Sequence, residues 1–255
     1  DLIKAKSKNL VNNGAYWCDN IKSLVDQSSI IITCLPNPKS VSLVMESPNG
    51  IIENINSNHL IIECSTTDEE ELIRLSKLVV SKSASYIDAP LSGGEWRSKQ
   101  GNISVLASGP RKSFNRALPV LKEIGYDIVY LGEKLGSAST VKVLTNYLAS
   151  INLLAIGEVL MICKKYNLDL KSVYDAIRVS SGNSFVHTSE GQLILSRSFD
   201  AQFTMDLICK DLGLVEKLKN KFDIPSELIT LVKNIFDKGK NKLGKKEFST
   251  AIIKL

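Results

Sequence analysis

The sequence predicts an α/β domain followed by an all-helical one, and three observations carry that prediction. Short β-branched runs alternate with stretches of helical periodicity through the first half, the pattern of a mostly parallel sheet covered by helices on both faces. The strand pattern stops near Gly132–Gly136. Beyond it, one long apolar helical stretch and three further helices fill the chain. The division falls at 134/135, giving domains 1–134 and 135–255, without solenoid repeats or low-complexity tracts.

Each element has its own signal. "DLIKAKSKNLVNNGA" reads as the end of a strand followed by a helix. "SIIITCLP" and "HLIIECST" are strands bounded by turn residues, and "SYIDAP", "ISVLAS" and "DIVYLG" are shorter ones. "TDEEELIRLSKLVVSKS" has helical periodicity with acidic residues in its first turn, where the helix dipole favours them. "KSFNRALPVLKEIG" is a helix that Gly125 closes. Past Gly136, "SASTVKVLTNYLASINLLAIGEVLMICKKYN" predicts one long helix. "LDLKSVYDAIRVSSG", "TMDLICKDLGLVEKLKNKF" and "PSELITLVKNIFDKGK" follow, the last with Pro225 at its start.

Composition narrows the function classes. With 44% hydrophobic residues in 255, a substantial core is expected. The net charge of +5 is spread thinly, and the lysine-rich "KGKNKLGKK" has no interleaved aromatics, so no nucleic-acid partner is expected. The five cysteines stand singly, a reduced intracellular pattern. The two histidines lie far apart without cysteine pairs, so no metal site is expected. "LASINLLAIGEVLMIC" contains Asn152 and Glu158 and reads as a buried helix, with no membrane partner. The expected compartment is the cytoplasm, with the mitochondrial matrix open for a eukaryotic chain.

Three clusters suggest chemistry. In "DAPLSGG", Ser92 offers a hydroxyl while Gly93 and Gly94 leave backbone N–H groups open to a carboxylate or phosphate; the plain alternative is a surface turn. Lys142 and Asn146, four apart, share a helix face, and burial would bring the ammonium towards a useful pKa; the alternative is a lysine snorkelling from a helix end. "CLPNP" and "CSTTD" follow the two strongest strands, and ligands of parallel sheets bind beyond such carboxyl ends. Thr66 or Thr67 could equally be a helix cap. Lys210-Asp211 alone reads as an ordinary exposed ion pair.

Taken in order, "CLP", "ECST", "DAPLSGG", "GSASTVKVLTN", "KDLGL" and "KKEFSTAIIKL" resemble the β-hydroxyacid dehydrogenase family along essentially the whole chain. The likeness is strongest to its 3-hydroxyisobutyrate dehydrogenase branch and the related semialdehyde reductases. The resemblance implies a Rossmann-like domain followed by a helical substrate and dimerisation domain. It also implies hydride transfer between NAD, or alternatively NADP, and a small 3-hydroxy acid or its semialdehyde. By the same resemblance, Ser92, Gly93 and Gly94 hold the substrate carboxylate, Lys142 moves the proton and Asn146 positions the substrate. Leu35, Pro36, Ser40, Thr66 and Lys210 meet the cofactor, and Asp1 binds the ribose hydroxyls, which favours NAD. A homodimer or homotetramer is implied.

The chain departs from the family's pattern at four places. The first strand and its GxGxxG turn are missing from these residues, and the expectation is that they precede Asp1. Glu95, Trp96 and Arg97 follow SGG where small residues are usual, so Trp96 could narrow the pocket or Arg97 could meet a second acidic group. Ala138 stands where a glycine is common, and Glu69 where a proline is. The competing reading is a non-catalytic dimerising relative without its cofactor-binding start. Imine reduction is disfavoured by Lys142, and phosphogluconate decarboxylation by the short helical half.

Overall fold

The computed structural model describes residues 1–255. Asp1 leads into a 3₁₀ turn, Lys4–Ser7, and a short helix α1, Lys8–Asn12, neither with a buried residue. The expected strand end at Asp1 is therefore corrected: extended backbone becomes a strand only when a neighbour completes its hydrogen bonds, and this segment has none beside it. Helix α2 (Ile21–Asp26), capped by the Asn20 side chain, brings the chain to β1 (Ile30–Thr33).

A turn then enters α3 (Pro38–Glu46), where the Asn37 side chain accepts from Ser40 N and Pro38 opens the first turn. After α4 (Ile51–Asn54) come β2 (Leu60–Glu63), α5 (Glu69–Ser81) and β3 (Ser85–Asp88). The carboxylate of Asp68 caps α5 by accepting from Glu70 N and Glu71 N. The three strands pair in parallel in the order β1-β2-β3, with Thr33 beside Glu63 and Glu63 beside Asp88. Their carboxyl ends therefore form one row. Central β2 is buried at all four residues, which is why it reads as an apolar run up to its last residue, the buried Glu63.

The second sheet holds β4 (Leu91–Ser92), β5 (Ile103–Ala107) and β6 (Gly125–Tyr130), linked by α6 (Gly94–Lys99) and α7 (Arg111–Ile124). β5 and β6 are parallel, and β4 is the antiparallel exception. Asp88 and Ser108 join the two sheets by exchanging backbone hydrogen bonds of 3.0 and 2.8 Å. Alternating residues separate two cores: Ile31, Ile61 and Tyr86 face one side with Met45, Leu72 and Leu75, while Leu60, Ile62 and Ile87 face the other with Val105, Phe114 and Leu121.

The second half is helical. Gly136, in the left-handed region at φ 88°, starts α8 (Ser137–Lys165), which runs for 29 residues. Helices α9 (Leu170–Arg178), α10 (Phe185–Leu195), α11 (Met205–Lys221) and α12 (Glu227–Leu243) follow, then a 3₁₀ turn at Ser249–Lys254. Leu153, Ile156 and Leu160 of α8 pack with Val186, Met205, Leu212 and Phe236 in one core. Helix α10 had no clear sequence signal, because Thr, Ser, His and Gly are weak helix formers. The Ser184 cap and burial of Val186 and Ile194 hold it instead. Pro225 precedes the Ser226 cap of α12 and does not itself open the helix.

Candidate active site

A chain of polar contacts runs between the two halves. Lys142, one turn into α8, is buried; its Nζ donates to Asn146 Oδ1 at 2.8 Å and Ser92 Oγ at 3.3 Å. The alternative of a lysine snorkelling to solvent is thus excluded. Asn146 turns its amide to the buried carboxylate of Asp211, donating to Oδ2 at 2.6 Å. Lys210 Nζ lies 2.9 Å from Asp211 Oδ1 and donates to the Thr66 carbonyl at 2.9 Å. Four separated stretches of sequence therefore meet: the SGG turn, the start of α8, the first half of α11 and the turn after β2. Burial pushes the Lys142 ammonium down to about 8, with Asp211 opposing the shift and Lys210 adding to it.

Lys142 owes its place to a second buried carboxylate. Asp88, at the carboxyl end of β3, accepts from Ser139 N at 2.9 Å, Ser139 Oγ at 2.7 Å and Ser108 Oγ at 3.1 Å. Ala138 N donates to Ser108 Oγ at 3.0 Å. An anion at the first turn of α8 suits the helix dipole and satisfies its free N–H groups. Burial raises Asp88 to about 6, and these hydrogen bonds pull the other way. The clamp fixes Ser139, three residues before Lys142, against a residue four before Ser92. Ala138 is buried in this contact without disturbing it, and Glu69 packs against Gly136, where an added Cβ would come within 2.7 Å of Glu69 Cγ. Glu69 is therefore more than a substitute helix opener.

The turns beyond β1 and β2 are tied together by Glu63. This buried carboxylate accepts from Thr33 Oγ1 and Ser65 N, each at 2.8 Å, and burial raises its pKa. Ser65 Oγ in turn accepts from Leu35 N at 2.8 Å, so Leu35 and Pro36 are set by the neighbouring turn. Ser40 sits at the start of α3, its hydroxyl on Asn37 Oδ1 at 3.1 Å. Asp1 is not drawn to this group; its carboxylate accepts only from Ile3 N.

The SGG stretch is a strand-to-helix turn. Ser92 ends β4; Gly93 and Gly94 have φ of 131° and 72°, angles that side chains rarely adopt. A Cβ at Gly93 would also lie 2.9 Å from Arg97 Cδ, so the Arg97 stem occupies that space. Trp96 is exposed, and the Arg97 head lies over Ser104, Asn102 and Asp127.

Comparison with known proteins places this arrangement. The family model for the NAD-binding domain of 6-phosphogluconate dehydrogenase matches residues 1–132, and that for the NAD-binding region of NADP-dependent 3-hydroxyisobutyrate dehydrogenase matches residues 136–255. A 2-(hydroxymethyl)glutarate dehydrogenase of Eubacterium barkeri is 30% identical over 254 residues, covering 99% of this chain and 84% of its own length. The chain belongs to the β-hydroxyacid dehydrogenase family. Two solved members share the fold: 3-hydroxyisobutyrate dehydrogenase from Salmonella typhimurium, at TM-score 0.89 and 24% identity, covers 100% of this chain and 89% of its own. The Mycobacterium tuberculosis 3-hydroxyisobutyrate dehydrogenase, with L-serine, has TM-score 0.86 and 21% identity, covering 98% and 87%.

β-Hydroxyacid dehydrogenases are oxidoreductases that use NAD(P), and several features of this chain fit such a cofactor. The carboxyl ends of three parallel strands lie in one row, and beyond β2 the buried Thr67 hydroxyl has no hydrogen-bond partner. Leu35 and Pro36 follow β1, Ser40 lies in the first turn of α3, Thr66 follows β2, and Lys210 Nζ reaches the Thr66 carbonyl, so these side chains gather near those ends. No GxGxxG run occurs in these 255 residues, so none of their turns supplies the usual pyrophosphate cradle. Sequence reasoning about this dehydrogenase missed Asp211 as a member of the polar chain, and its only signal was adjacency to Lys210.

Proposed function

We propose that this chain oxidises a small 3-hydroxy acid to the semialdehyde, or runs the reverse reduction, with residues 1–134 holding NAD and residues 135–255 completing the substrate site. The observation that carries the proposal is the buried Lys142 ammonium, held between Ser92 and Asn146 with no carboxylate bonded to it directly. When bound, the nicotinamide takes or supplies the hydride. Lys142 accepts the hydroxyl proton in oxidation and returns one to the carbonyl oxygen in reduction. Asn146 orients both Lys142 and the substrate oxygen, while Ser92 and the Gly93-Gly94 backbone hold the carboxylate. Asp211 keeps the Asn146 amide facing the site, and Lys210 spans to the Thr66 turn. The reaction belongs in the cytoplasm.

The test combines fluorescence titration with NADH and NADPH and turnover of 3-hydroxyisobutyrate. Saturable NADH binding, tighter than NADPH, with turnover that vanishes in Lys142→Ala is the expected result. Absence of dinucleotide binding would overturn the proposal and favour the non-catalytic dimerising role.

We infer a homo-oligomer from one surface: Leu144, Leu148, Ala155, Val159 and Ile162 make an exposed apolar stripe along α8. By length and composition α8 could cross a membrane, but its other face is committed to α9, α10, α11 and α12. A second copy covering the stripe suits a soluble dehydrogenase better. The expected outcome is a homodimer or homotetramer in sedimentation, dissociated to monomer by Leu148→Glu with Ile162→Glu.

A further inference from the structure

We infer that Arg97 reads a second carboxylate, so that the substrate is a 3-hydroxy acid carrying another carboxyl group at its far end. This rests on the reading of the SGG turn and Lys142 given above. The geometry starts from the β4–β5 pair. Ser92 and Ser104 are directly opposed, so their side chains share one face of the sheet. Lys142 Nζ sits on the Ser92 hydroxyl at 3.3 Å, and Arg97 Nη1 sits on the Ser104 hydroxyl at 3.5 Å. Opposed side chains are separated by about 5 Å, so the guanidinium on Ser104 lies within about 9 Å of the Ser92 side chain. Lysine and arginine thus flank one short row of serines.

Arg97 is anchored without being saturated. Its stem packs on Gly93, where the added Cβ would meet Cδ, Cβ and Cγ, so the residue cannot swing away from the SGG turn without opening that contact. Its head makes only long contacts: 3.5 Å to Ser104, 3.3 Å to Asn102 Oδ1 and 3.7 Å to the half-exposed Asp127 carboxylate. Phe185, at the start of α10, lies 6.0 Å from the guanidinium carbon. A guanidinium has five N–H donors in a planar fork suited to a bidentate carboxylate, and none of these contacts is bidentate. An anion bound there would displace weak partners. A carboxylate on Arg97 and one on the SGG turn are then close enough for a short, folded carbon chain to join them.

The chemistry of oxidation is unchanged. The hydroxymethyl carbon loses a hydride to NAD, its O–H proton passes to Lys142, and the product is the aldehyde; the distal carboxylate is a handle only.

3-Hydroxyisobutyrate and 2-(hydroxymethyl)glutarate share the reacting hydroxymethyl group and differ in the second carboxylate, so they are the probes. The expected result is kcat/KM for the diacid about 100-fold above that for the monoacid, in the range of a charged hydrogen-bond pair. Arg97→Gln should remove that preference through KM, leave kcat and the monoacid within about twofold, and Arg97→Lys should restore part of it. Equal losses on both acids, or no preference in the unaltered chain, would overturn the inference. Undiminished turnover in Lys142→Ala would instead sink the underlying assignment. If neither acid is oxidised, calorimetry with glutarate and butyrate decides: binding of glutarate alone, lost in Arg97→Gln, supports the inference, and equal binding or none refutes it.

Discussion

Lys142→Met is expected to lower kcat about 10³-fold while leaving the protein as stable as before or more so at neutral pH. The two effects have one origin. The lysine is buried, and its pKa falls from 10.5 to about 8 because burial penalises the charged form. A folded-state value below the unfolded one means that the unfolded chain binds more protons between those two values. Stability therefore rises with pH across that window, and the penalty is complete below about 8. The shift corresponds to at most about 3 kcal/mol that a methionine would relieve. Thermal melts at pH 7 and pH 10.5 should show the variant's advantage at the lower pH and its disappearance at the higher. The same pKa sets the rate profile: oxidation, which needs the neutral amine, should rise through an apparent pKa about 8, and reduction should fall through it. A variant that loses stability at pH 7 without losing rate would contradict both statements.

Asp211→Asn is the second large effect. The carboxylate takes the Asn146 amide on one oxygen and faces Lys210 with the other. An amide in its place cannot accept from both, and Lys210 is left partly buried beside a neutral group. The stability loss should be about 3 kcal/mol, read as a lowered Tm. Loss of the anion also removes the influence that opposes the downward shift of Lys142. The apparent pKa of the oxidation profile should thus move below 8, and kcat should drop about 10²-fold as Asn146 loses its fixed orientation. A profile that keeps its midpoint while Tm falls would assign Asp211 a purely structural role.

Much of this fold was legible because β2 and β1 are nearly pure isoleucine and leucine runs, and because strand periodicity stops at a glycine in the left-handed region. Local chemistry sufficed there. It did not suffice for β4, two residues long, or for α6, whose glycine start and six residues give little signal. The Lys142–Asn146 pairing was readable because four residues on a helix define a face. Asp211 was not, because its partner lies 65 residues away and its neighbour Lys210 made it look like a surface pair. Asp88 hides for the same reason: "DAP" announces a turn, and only the folded chain brings Ser139 to it.

The two kinds of contact between the halves respond differently to the surrounding solution. Near the candidate site, the Asp88 clamp is sealed from solvent, and dissolved ions cannot weaken it appreciably. At the far edge, Lys217 and Lys221 of α11 grip Asp68, Glu69 and Glu70 at the head of α5 through contacts that water reaches. Added salt loosens that edge alone. The alignment of Ser92 with Lys142 beside the clamp is therefore less sensitive to ionic strength than the edge between α5 and α11.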